Sequence, residues 1–158
     1  INDIGPEIAS AGLERIKSYV GLAGPFDDWA AATAYIKSLN AEIFPLWEEA
    51  QWQHLAKQSY VERDGQIVID YDPRITEPLK QEGADSESET LWSMFDALGS
   101  VPTLLVRGDL TDLLTTDCVA RMRERHQQLT VLNVPDVGHA PMLNEPGVSS
   151  AIQRFLTA

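Results

Sequence analysis

The sequence predicts an incomplete α/β fold, with a mostly helical first part followed by a strand–helix–strand–helix run. Three observations predict it. Thr103-Leu-Leu-Val106 is apolar at every position but the first, without alternation, the pattern of a parallel strand covered by helices on both faces. Leu129 to Val134 repeats a strand signal after the helical stretch Asp117 to Arg125, and strands alternating with helices point to a parallel sheet. Before them, some sixty residues carry apolar side chains at helical spacing. Two parallel strands are too few for a doubly wound sheet, so the remaining strands are expected from outside this stretch.

Ile1 to Pro6 is short and closes on Gly-Pro, which stops regular structure. Glu7 to Val20 places Ile8, Leu13, Ile16 and Val20 near one helical face, and Gly21-Leu-Ala-Gly-Pro25 breaks it. Asp27 or Asp28 can cap a second helix through Trp29, Ala32, Ile36 and Leu39. A third helix is expected to start near Pro45, an acceptable first-turn residue, and to run through Trp52 and Leu55. The period then changes: Tyr60 to Tyr71 reads as a hairpin turning at Asp64-Gly65. Gln81 to Glu89 is polar and acidic and reads as a solvated loop. Thr90 to Leu98 reads as a short helix with Leu91, Trp92 and Phe95 on its buried stripe, and Val148 to Leu156 as the final helix.

Composition narrows the function classes. The 158 residues carry a net charge of -12. Residues 1–97 hold 18 acids and 7 bases, whereas residues 98–158 hold 6 and 5. An acidic surface repels phosphate backbones, so nucleic acid is not an expected partner. No apolar stretch reaches membrane-spanning length, so no membrane partner is expected. The one cysteine, Cys118, suits a reducing compartment and so a cytoplasmic location, and it reads as a small apolar residue on a helix face.

The chemistry lies in two loops. Val101-Pro-Thr-Leu-Leu-Val-Arg-Gly108 leads into Asp109-Leu-Thr-Asp-Leu-Leu114, and the second strand leads into Gly138-His-Ala-Pro-Met-Leu-Asn-Glu-Pro146. An acid after one strand and a histidine after the next resembles the C-terminal half of the α/β-hydrolase superfamily, whose triad runs Ser, Asp, His along the chain. The likeness extends over nearly the whole chain and is nearest to bacterial esterase-like members. It implies an incomplete α/β-hydrolase fold: residues 1–6 leaving a core strand, 7–97 forming a helical cap with a small hairpin, and 98–158 the C-terminal core. It implies hydrolysis of a carboxylic ester or related acyl compound, with no cofactor and no metal. Carbon–carbon hydrolysis, lactone opening, dehalogenation and epoxide opening use the same scaffold. There are two departures. No Gly-x-Ser-x-Gly pentapeptide occurs, so nucleophile and oxyanion hole are expected from outside the chain. Most members place the acid three residues after the loop glycine, where this chain has Thr111.

His139 is the expected general base, free to take a proton from the nucleophile and return it to the leaving group. Asp112 is favoured as the acid that orients it, because it fits the Thr-Asp-Leu-Leu variant, with Asp109 as the alternative. Asp136 reads as a turn former, and His126 as a residue compensating a helix C-terminus. Trp47 and Trp52 are candidate pocket-facing residues, though tryptophans more often serve packing. The isolated chain is expected to be inactive. It is expected to pair with the complementary half of the fold or to form a homo-oligomer through an open strand edge.

Overall fold

The computed structural model describes residues 1–77 and 84–157. They form two compact units: Ile1–Leu13 with Gly83–Ala158, and Glu14–Glu82. No helix among the described residues is long and apolar enough to cross a membrane.

The first unit holds the parallel sheet and the loops that carry His139 and Asp3. Its two strands, β3 (Thr103–Gly108) and β4 (Leu129–Val134), pair in register from Thr103 opposite Leu129 to Gly108 opposite Val134. The chain start adds a short third rung on the other side of β3. The Ile1 amino group donates to Leu104 O at 2.8 Å, Val106 N to Ile1 O at 3.0 Å, and Asp3 N to Val106 O at 2.7 Å. β3 is buried along its whole length, as its unbroken apolar run requires. Against it pack α4 (Ala84–Asp96), through Trp92 and Phe95, and α5 (Thr116–Arg125), through Cys118, Val119 and Met122. Thr115 caps α5, its hydroxyl accepting from Cys118 N at 3.1 Å. α6 (Val148–Thr157) closes the chain.

The second unit is helical with one hairpin. α1 (Ser10–Tyr19) leads into it. α2 (Trp29–Asn40) starts at Asp28, whose carboxylate accepts from Ala31 N at 2.7 Å. α3 (Glu49–Ser59) begins four residues later than Pro45 suggests, because Gln51 reaches back to accept from Glu48 N at 2.9 Å and fixes the first turn there. β1 (Tyr60–Arg63) and β2 (Gln66–Ile69) form the expected antiparallel pair about Asp64 and Gly65, both at positive φ as a two-residue turn of this hand requires. Phe26 extends the hairpin by a bridge to Ile67, with hydrogen bonds of 2.9 Å in both directions.

One sequence expectation changes. Residues 81–83 of the acidic stretch lie outside the described residues, but from Ala84 onward it is helix rather than loop. Leu91, Trp92 and Phe95 supply the apolar stripe that pins it, and that docking overrides the polar composition of the first turns. By contact, Glu7–Leu13 and α4 belong to the sheet unit, with Trp92 and Phe95 buried against Leu105 and Leu114.

Candidate active site

Parallel strands deliver their loops to one end, the carboxyl end of the sheet. Here the segments following Asn2, β3 and β4 meet. After β4 the chain turns at Asp136, which adopts positive φ, and runs through Val137 and Gly138 into His139. This turn lies on the end of β3. Leu110 N donates to Val137 O at 2.9 Å, and a Cβ on Gly108 would sit 2.3 Å from Val137 O and 2.8 Å from Gly138 O. Glycine is required at 108 for want of space, not for its φ.

A carboxylate reaches the end of β3 from one rung over. Asp3 is 0% exposed. Its Oδ1 accepts from Gly108 N at 3.0 Å, its Oδ2 lies 3.1 Å from His139 Nδ1, and its main-chain oxygen lies 3.0 Å from the same nitrogen. Both neighbours of Nδ1 are acceptors, so in the neutral imidazole Nδ1 carries the hydrogen and Nε2 the lone pair. The histidine side chain stays 23% exposed. A base held in one tautomer, backed by a buried carboxylate and partly open to solvent, can accept a proton at Nε2 and stabilise the resulting imidazolium.

The carboxylate described against His139 is that of Asp3, where the sequence favours Asp112 with Asp109 as the alternative. Asp109 is exposed, with Arg107 Nη1 3.8 Å away. Asp112 is half-buried in a loop built for anchorage. In that loop Leu113 and Leu114 are buried, Arg107 Nε donates to Leu114 O at 3.1 Å, and Ala9 N donates to Leu113 O at 2.9 Å. The Arg-Gly-x-x-Thr-Asp-Leu-Leu motif reads in the structure as a loop clasp. A signal for Asp3 was present: an acid ending a strand segment, combined with Thr111 in the position where a carboxylate is usual.

Trp52, a candidate pocket-facing residue from the sequence, is packed in the helical unit. It is 1% exposed, in an aromatic cluster with Phe44 and Trp47, and has no surface left for a ligand. Trp47 is half-buried and stacks on Phe44 with centroids 4.2 Å apart. His126 is more than a dipole partner. It is buried at the end of α5, its Nδ1 accepts from Gln128 N at 3.2 Å, and its Nε2 lies 3.1 Å from Thr103 Oγ1, tying α5 to the start of β3. Cys118 is buried in the core, and that burial pushes its thiol pKa up, which makes it a poor nucleophile.

Among solved structures, an α/β hydrolase from Novosphingobium aromaticivorans is similar over 99% of this chain and 55% of its own, at 35% identity and a TM-score of 0.85. The fold is that of the C-terminal half of an α/β hydrolase. The E-2-(acetamidomethylene)succinate hydrolase shares the fold, with a TM-score of 0.74 at 21% identity over 99% of this chain and 56% of its own. Among curated proteins, a 3-hydroxybutyrate-oligomer hydrolase of Cupriavidus necator is 32% identical over 99% of the chain and 55% of its own length. No protein-family model matches. The chain spans about half the length of the relatives it matches.

Proposed function

We propose that His139 and Asp3 are the base and orienting acid of a hydrolase that cleaves carboxylic esters. The observation carrying this reading is the doubly accepted Nδ1 hydrogen of His139, which leaves Nε2 available. A hydroxyl nucleophile from the part of the fold that this chain does not span would attack the acyl carbon. His139 Nε2 takes the hydroxyl proton as the carbon–oxygen bond forms, and the Asp3 carboxylate offsets the imidazolium charge. As the tetrahedral adduct collapses, Nε2 returns the proton to the departing alkoxide. The same nitrogen then activates a water molecule that releases the acid. The Cupriavidus necator relative is named for hydrolysing oligomers of a hydroxy acid, and short hydroxyacid oligoesters are the proposed substrate class.

The partner implied is the complementary half of the same fold. An apolar groove of about 340 Å³ is lined by Ile1, Pro102, Leu104, Leu143, Ile152 and Phe155. Leu156 beside them is 74% exposed. The relatives are nearly twice as long as this chain, and apolar side chains of the complementary half are proposed to fill that groove.

The test is hydrolysis of p-nitrophenyl esters and 3-hydroxybutyrate oligomers by the full-length gene product. His139→Ala is expected to lower kcat by several orders of magnitude, and Asp3→Ala by roughly 10²–10⁴. Full activity in Asp3→Ala combined with loss in Asp112→Ala would refute the assignment of the acid.

A further inference from the structure

We infer that Asn2 is a positioning residue for His139, holding the main chain of the histidine loop while Asp3 holds the ring. The inference rests on the reading of His139 as the base. Asn2 Nδ2 donates to Pro141 O at 3.0 Å, across 139 residues of sequence. Among the described residues this is the hydrogen bond that ties the backbone just after His139 to the strands. The loop's other described anchors are local: Met142 N donates to Glu145 Oε1 at 2.6 Å, Val148 N to Glu145 O at 3.0 Å, and Ser149 Oγ to Leu143 O at 2.8 Å. Pro141 is fully buried and has no N–H to contribute. Consecutive residues of one strand end therefore grip the loop at two points, the imidazole and the carbonyl two residues on. One point fixes where the ring is hydrogen-bonded, and the second stops the loop pivoting about it.

The residue type argues the same way. Asn2 Oδ1 is buried and has no hydrogen-bond partner among the described residues. An orphan acceptor of this kind is unfavourable, and an aliphatic residue would suit a strand end better if packing were all that mattered. The amide is explained by its donor. An aspartate would have none, and it would set a second carboxylate next to Asp3 and a carbonyl oxygen.

The test needs no nucleophile. In this chain the imidazole nitrogens of His139 and His126 are followed by long-range ¹H–¹⁵N correlation. Wild type should show His139 as a single tautomer protonated at Nδ1, and His126 as one protonated at Nε2. Asn2→Ala should move the His139 ¹⁵N shifts toward a tautomer mixture and speed Nδ1–H exchange by about tenfold, in line with loss of one hydrogen bond. The His126 signals, held by Thr103 and Gln128, should not move and report that the fold is intact. If Asn2→Ala does not fold, Asn2→Leu, which keeps the size and removes the donor without adding charge, is read the same way. Unchanged His139 shifts and exchange in a folded variant would overturn the inference, as would loss of the His126 signals in both variants. Asp3→Asn separates this from the parent reading: if it leaves His139 unchanged, the acid–base pairing itself fails. If Asp3→Asn perturbs His139 and Asn2→Ala does not, only the role of Asn2 falls.

Discussion

Replacing Gly108 by alanine tests the geometry under the site without any assumption about activity. The added Cβ would lie 2.3 Å from Val137 O and 2.8 Å from Gly138 O. A carbon–oxygen contact needs roughly 3.3 Å, so the end of β3 and the turn before His139 must separate by about 1 Å. Overpacking costs about 1–3 kcal/mol where side chains can yield, and here both obstacles are backbone. The separation also stretches the bonds from Leu110 N to Val137 O and from Gly108 N to Asp3 Oδ1, now 2.9 and 3.0 Å, each worth about 1 kcal/mol or more. The total is about 3–5 kcal/mol. At 4–8 °C per kcal/mol for a unit of this size, the Tm should fall by at least roughly 12 °C. Scanning calorimetry of this chain measures it. Gly65→Ala is the contrasting case, with no atom within 4 Å of the added Cβ but a φ of +78°. Its cost is conformational, about 1 kcal/mol, and falls in the other unit. A Gly108→Ala chain melting within 3 °C of wild type would show that the turn does not rest on β3, and the argument linking Asp3 to His139 would lose its support.

Burial, with a smaller effect from Tyr35 and Tyr71, pushes the Tyr60 hydroxyl up to about 12 from 10.0. A raised folded-state value favours the protonated fold, so its contribution is intact below pH 10 and lost as pH rises through 12. Absorbance near 295 nm should show a late tyrosine step that Tyr60→Phe removes, and a step ending by pH 10.5 would contradict this. Glu7 accepts from the Trp92 indole at 2.9 Å and pairs with Arg121, whose guanidinium lies 4.7 Å from the Trp92 ring centre. Glu7→Ala should cost about 1 kcal/mol, the half-exposed ion pair adding little, as read by urea unfolding. Thr115→Ala should cost about 1 kcal/mol through loss of the cap on α5, with Thr115→Asn close to wild type. Light scattering should find this chain forming a one-to-one complex with the separately expressed complementary half, and a homodimer with no affinity for that half would refute the proposed partner.

Elements set by local chemistry were legible from the sequence. Asp28 before Trp29, Asp64-Gly65 between alternating runs, and the unbroken apolar Leu104–Val106 each carry their outcome in a few neighbouring residues. Their structures follow because capping, turn hand and strand burial are short-range or face-wide effects. The start of α3 and the helical reach of α4 were misjudged for a related reason. Pro45 and the acidic run are local cues, overridden by Gln51 capping Glu48 and by Trp92 and Phe95 docking against β3. His139 was legible because a Gly-His turn after a strand is a compact pattern. Its acid was not, because the partner lies 136 residues away. No periodicity connects residue 3 to residue 139.

The position of the acid follows from the sheet, and the reason is general to parallel strand ends. Strands in a sheet stand roughly 4.8 Å apart, so a carboxylate ending the Ile1–Asp3 rung starts about two spacings from β4, with the end of β3 between. A side chain at position 108 would collide with the Val137–Gly138 backbone. The glycine there does two things at once: it lets the Val137–Gly138 backbone settle onto β3, bringing His139 inward, and it exposes its own N–H to Asp3 Oδ1. The acid is then bound from both sides, by a main-chain donor it cannot lose and by the imidazole it orients. An acid at 109 or 112 would sit on the loop after β3, whose described contacts are made through Leu113, Leu114 and Arg107. Moving the acid to a strand end fixes it on the more rigid element. The same logic predicts that Asp3→Asn is worse than its small change in shape suggests. An amide has one acceptor oxygen, and two N–H groups, from Gly108 and His139, point at the side chain. Whichever way the amide turns, one of them faces an NH₂ group, at a cost of about 1–3 kcal/mol. If Asp3→Asn melts together with wild type, those two donors do not converge on Asp3, and the site as described here is wrong.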